Sequence, residues 1–210
     1  MAPKEMKPKV TTSSISLRWF GLALLLGGIL ILPSILHPDE ADPNALIDPL
    51  WAPVHIIVGV GFILSLFGLF ALYMKQADKA GALGAFAFCM VFVATAFLGG
   101  TILSAEGFIF PAIAQSAAAQ TLLDPTGPIL GSPLGALFAV SIYVLGASLL
   151  LLGITIWRAG VLPRYAGVLL IVGAPLAVLT PPLPHILGNI GGTLIGLGYI
   201  WLGYVLWRGE

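Results

Sequence analysis

The sequence predicts an all-α fold, a bundle of six transmembrane helices, and three observations carry that prediction. Charge is scarce: 9% of the 210 residues are charged and 59% are hydrophobic, with a mean hydropathy of +1.04. Soluble domains run at about 25% charged, so this chain could not cover a globular surface in water, and lipid is the alternative solvent. Six apolar runs each reach the roughly 17–25 residues that a crossing helix needs. Finally, the nine basic residues fall only where a six-span path puts them on one side.

Taken in order, residues 1–16 read as an N-terminal tail and 17–210 as a single membrane domain. The first run, about 17–36, follows Lys4, Lys7, Lys9 and Arg18 and could pass for a signal peptide. Its apolar core exceeds the usual length of about 7–15 residues and lacks a small-x-small cleavage site, so it reads as a retained helix. Runs at about 53–74 and 80–104 flank Lys75 and Lys79. Two more, about 133–157 and 165–181, flank Arg158 and Arg164; the last, about 185–207, precedes Arg208. The proline turn TPPLPH separates the fifth run from the sixth. With the basic side inside, both termini are cytoplasmic and the protein sits in the cell membrane. The longest outer connection, about 105–132, holds FPAIAQSAAAQTLL, which predicts a short helix begun by Pro111 and closed by the turn DPTGP.

Packing signals are of two kinds. Gly188, Gly192 and Gly196 form two small-xxx-small steps, and Gly131, Gly135 and Ala139 repeat the pattern. Such steps mark helix contacts, within the chain, in a homo-oligomer or with a partner membrane subunit. Ser141, Ser148 and Thr155 share one face of the fourth helix, as hydroxyls bonded one turn back would. The motifs RWFG, DKAG and RYAG open the inward-starting helices, and GLFALYMK, GITIWR and GYVLWR close the returning ones. This faint repeat suggests three related helical hairpins, although positive-inside flanks and aromatic belts impose similar ends on unrelated helices.

Formal net charge is zero, so nucleic acid is not an expected partner; the lipid bilayer is. The lone Cys89 excludes an internal disulfide and a cysteine metal cluster, and it reads as a buried small hydrophobe. Few groups are left for chemistry. Glu106 ends the third run among apolar residues, where a carboxylate is costly and so suggests function. Trp51 and Pro53 suit the interface and first turn of the second helix, with His55 a turn further in. His185 opens the sixth helix, with Asn189 and Thr193 on the same face. His37, beside Pro38 in the loop, reads as solvated. The acidic loop of residues 37–55 lacks the glycine and terminal glutamate of an EF-hand.

Trp51, His55, Glu106, His185 and Asn189 are therefore the candidate ligand-binding residues, expected to converge on one outer pocket. No metal site is expected from spacing, haem is disfavoured because the helical histidines sit at helix ends, and no cofactor is indicated. The expected function is non-catalytic binding of a lipid-like or other hydrophobic small molecule, or of a partner subunit. The alternatives are a small secondary transporter and a metal-dependent membrane enzyme using His55, Glu106 and His185.

Overall fold

The computed structural model describes residues 12–42, 44–116, 119–124, 126–179 and 184–209. Every regular element among them is helical: α1 (Thr12–Ile31), α2 (Trp51–Thr101), α3 (Phe110–Ala114), α4 (Pro133–Ala159), α5 (Arg164–Val178) and α6 (His185–Arg208). A 3₁₀ turn, Leu32–Leu36, extends α1, and a π-helix, Ile102–Ile109, joins α2 to α3. Local chemistry sets the ends. Ser132 accepts hydrogen bonds from the backbone N–H groups of Leu134 (3.2 Å) and Gly135 (3.4 Å), and Pro133 occupies the first position of α4. Gly160, at φ +64°, closes that helix after Arg158.

Several helices are long and apolar enough to cross a membrane. They are Leu17–Leu36, the 64-residue stretch Trp51–Ala114, Pro133–Ala159 and His185–Arg208. The count of separate elements is thus four, with the 15-residue α5 a shorter apolar helix, where six runs were expected. The difference has two physical origins. The linker containing Lys75 and Lys79 stays helical up to Gly81, whose φ of 58° and ψ of −155° break α2 into two arms. And α5 spans about 22 Å at 1.5 Å per residue, less than a hydrocarbon core of about 30 Å. The turn TPPLPH that follows it falls partly at 180–183, outside the described residues, as does the tail up to residue 11.

The two arms of α2 lie against each other antiparallel. A methyl group at Gly99 would stand 2.9 Å from Phe62 Cβ, and one at Gly59 would stand 2.8 Å from Leu103 Cβ. The same reading of close approaches orders the elements into a closed ring. Gly27 meets Gly61, Gly84 meets Thr155, Gly153 meets Gly167, Gly173 meets Gly191, and Gly203 returns to Gly21. Arg18 Nε donates to the Trp207 carbonyl at 2.9 Å, fixing the start of α1 beside the end of α6. Antiparallel order then carries Lys75, Lys79, Arg158, Arg164 and Arg208 to that same end, with the three histidines at the other.

Two glycine faces line α6, where one was expected. Gly196 stands against Gly28 of α1 and Gly192 against Ser34, while Gly191 and Gly198 meet α5. At Gly131 and Gly135 the atoms nearest to an added methyl group are backbone atoms of the preceding turn, at Thr126, Gly127 and Leu130. The hydroxyls of Ser141, Ser148 and Thr155 donate to the carbonyls of Phe138, Leu145 and Leu151 at 2.6–2.8 Å. Each is satisfied within its own helix.

The interior packs Leu24, Leu72, Val91, Leu149, Ile156, Leu170 and Tyr199, each 1% exposed or less. The outside is apolar too: Trp19, Phe86, Val93, Leu134 and Tyr165 are all more than half exposed. An apolar surface around an apolar core suits lipid on the outside and would be costly in water. Cys89 lies on this outer face, not in the core as its residue type suggested. A thiol is apolar enough to sit there.

Candidate functional site

At the histidine end, residues from every long element line an open-mouthed cavity of about 740 Å³. That volume lies within the range of about 300–1,000 Å³ usual for small-molecule sites. Its composition is graded. Glu40, Asp42 and Asp124 stand at its polar end, and Phe62, Leu145 and Leu149 line the apolar part between the helices. Trp51, His55, Glu106, His185 and Asn189, singled out from the sequence, all line it.

The wall is built from helix ends. The π-helix places Glu106 in mid-helix, where the sequence suggested that a helix ends. Pro111 explains the wider turn, since its ring cannot donate and would strike the Gly107 carbonyl in an ordinary α-helix. A separate helix begun by Pro111 is therefore not what forms; α3 continues the preceding arm. The Glu106 side chain is 8% exposed, and its carboxyl has no hydrogen-bond partner among the described residues. Its backbone carbonyl accepts from Trp51 Nε1 at 3.0 Å, which ties the start of α2 to the π-helix. π turns inside helices recur at functional sites.

His37 is the centre of the site, which corrects the expectation of a solvated loop histidine. Its side chain is 19% exposed. Its Nε2 lies 3.1 Å from His55 Nε2, and its Nδ1 lies 3.4 Å from His185 Nε2. Ring centroids are 4.7 Å and 5.7 Å from the same two partners, so the helical histidines are joined through it. Asn189 Nδ2 holds the segment by donating to the Ile35 and His37 carbonyls at 3.3 and 3.1 Å. Trp51 stacks on His55 at 4.4 Å between centroids. His37 directly follows an apolar run, but its neighbours Pro38, Asp39 and Glu40 give it the sequence context of a solvated loop. The hydroxyl of Ser34, also missed, is buried in the cavity wall without a hydrogen-bond partner.

Proton counting constrains the row. His55 Nδ1 faces the Trp51 carbonyl and His37 Nδ1 the Pro38 carbonyl, each at 2.7 Å, and carbonyls only accept. Adding the contact between the two Nε2 atoms makes three bonds, each needing a ring proton, while two neutral imidazoles carry one each. All three are made only when the pair holds an additional proton, with Glu40 Oε1 3.9 Å from His37 as the nearest countercharge. Burial opposes that state and holds His37 below the ordinary imidazole value of 6.5. The Glu40 charge and the bond to Pro38 pull upward, and His185 adds to the lowering.

The aspartates of the loop are bonded to their own backbone. Asp39, Asp42 and Asp48 accept from the N–H groups of Ala41, Asn44 and Leu50 at 2.7–3.0 Å, forming local turns. No three His, Cys, Asp or Glu side chains among the described residues are placed to hold one metal ion, and His55, Glu106 and His185 are not an exception. Comparison with family models, with curated proteins and with solved structures returns no match for this chain.

Proposed function

We propose that this chain is an integral protein of the cell membrane that crosses it six times, as three hairpins, with both termini cytoplasmic. It acts, on this reading, by binding one small amphiphilic molecule in the cavity, without catalysis. Counting the two arms of α2 as separate crossings restores six, and the common position of Arg18, Lys75, Lys79, Arg158, Arg164 and Arg208 supports a cytoplasmic basic end. Matching contacts support the hairpins: Gly21, Leu24 and Gly27 have the spacing of Gly167, Leu170 and Gly173. Gly61 meets Gly27 and Gly68 meets Leu24, just as Gly191 meets Gly173 and Gly198 meets Leu170. Glycine contacts of this kind supply close packing where lipid removes the hydrophobic drive.

The observation that carries the binding reading is the gradient within the cavity. Polar groups gather at one end, around His37 and Glu106, and aliphatic and aromatic side chains line the rest. A purely structural bundle would fill such a volume, since interiors are close-packed. Transport is the second reading, favoured by Pro175, which lies inside α5 beside the lining residues Ala174 and Ala177 and removes one backbone donor there.

The test is native mass spectrometry of the protein taken from its own membrane in lipid nanodiscs. A retained amphiphile of one defined mass is expected, lost when Val58→Trp fills the cavity while the melting temperature is kept. Absence of any retained mass, with no stabilisation by added amphiphiles, would overturn the reading.

A further inference from the structure

Resting on the reading that the cavity takes an amphiphile, we infer that the polar group it selects is a protonated amine on a single apolar chain. Three features of the cavity carry this.

The first is charge sign. Glu40, Asp42, Glu106 and Asp124 all line the cavity, and no lysine or arginine does. The sequence extends the point beyond the described residues, because no lysine or arginine lies within 19–74, 80–157 or 165–207. A carboxylate, phosphate or sulfate head group would meet no lysine or arginine there, only the imidazoles of His37, His55 and His185, beside four acidic groups. Buried charge without a partner is strongly disfavoured.

The second is Glu106 itself. It is 8% exposed, it lines the cavity from the π-helix, and its carboxyl has no hydrogen-bond partner among the described residues. An ammonium group brings both of the things this carboxyl lacks, a countercharge and hydrogen-bond donors.

The third is size. Taking about 30 Å³ per non-hydrogen atom, the share of a water in the liquid, the cavity holds on the order of two dozen atoms. That is one chain with a compact head.

The experiment uses the full chain in phosphatidylcholine nanodiscs, titrated calorimetrically with dodecylammonium, dodecanol and dodecanoate at pH 7.5, with empty nanodiscs subtracted. Dodecylammonium is expected to bind about tenfold or more tighter than dodecanol, as desolvated charge pairs do, with no binding of dodecanoate. Glu106→Gln is expected to bring the ammonium down to the alcohol while leaving the alcohol unchanged. Equal binding of ammonium and alcohol, or binding of the carboxylate, overturns the head-group assignment and leaves the amphiphile reading standing. No binding of any of the three overturns both. If Glu106→Gln fails to fold, the ranking of the three probes on the native chain decides alone.

Discussion

Asn189 shows how a single side chain ties a distant segment to a helix. Its amide satisfies two carbonyls, of Ile35 and His37, at the place where the chain leaves the α1 extension. Asn189→Leu keeps the volume and strands both acceptors, so a loss of about 1–3 kcal/mol is expected by denaturant or thermal unfolding in detergent. Thr193→Val is the control, because the Thr193 hydroxyl bonds only the Asn189 carbonyl of its own helix. A comparable loss in both variants would remove Asn189 from its positioning role. His37 makes the second prediction. Its folded pKa is lowered from 6.5, chiefly by burial, so the unfolded chain takes up the proton first on acidification. The stability it contributes is complete above pH 6.5 and drains away as pH falls toward the lower folded value. Melting temperatures measured from pH 7.5 down to 5 should decline more steeply in the native protein than in His37→Gln. Parallel curves would show that His37 is not buried in solution.

At the scale of elements, the sharp event is the break in α2. Gly81 has φ of 58° and ψ of −155°, with open space around it, so any cost of a side chain there is backbone cost alone. Gly81→Ala is expected to destabilise the protein by about 1–3 kcal/mol, the cost of holding a non-glycine residue in that region. Gly100→Ala, equally open but helical, should be neutral or slightly stabilising, since alanine is the better helix former. Equal effects would mean that the turn tolerates side chains and that the arms are positioned by other contacts. The α1–α6 seam gives a second comparison. A methyl group at Gly28 would stand 2.6 Å from the Gly196 carbonyl, whereas Val93 is 67% exposed. Gly28→Leu should abolish the monodisperse folded species on size-exclusion chromatography, while Val93→Ala leaves it intact. The tight backbone contact is at Gly196, and Gly192 instead faces the Ser34 hydroxyl, a distinction that the shared spacing of the two glycines hides.

For the whole molecule, the proposed orientation makes a direct prediction. In a Cys89→Ala background, cysteines at Asp42 and Asp124 should react with an impermeant maleimide from outside intact cells. Cysteines at Lys79 and Arg164 should react only after permeabilisation. Any reversal would place the cavity on the other side of the membrane, and α2 would then have to be recounted. The one-sided cluster of basic residues motivates the prediction, since short loops rich in Lys and Arg stay inside. The Arg18–Trp207 bond lies at the end opposite the cavity. Close approaches at glycines lie along the length of the helices, and the 3₁₀ extension of α1 and the π-helix of the second α2 arm lie at the histidine end.

The sequence by itself determined the helical class, the apolar character of the long helices and the grouping of the basic residues near helix ends, because hydropathy and basic flanks act locally and add up along the chain. It also isolated Trp51, His55, Glu106, His185 and Asn189, because ionisable and polar groups at apolar helix ends are scarce enough to stand out. It did not determine how many elements those runs become. Whether residues 75–80 form a loop or a continued helix depends on the packing of the two arms, and Gly81 records the outcome only in its dihedral angles. Nor could it place His37, whose neighbours in sequence, Pro38, Asp39 and Glu40, are those of a solvated loop. Its burial comes from Asn189, His55 and His185, which are distant in the chain and are brought together only when α6 closes against α1. The π turn is of the same kind. Pro111 forbids an ordinary helix, but only the tertiary contacts of Trp51 with the Glu106 carbonyl and of Ile56 with Gly107 favour a widened helix over a chain break there.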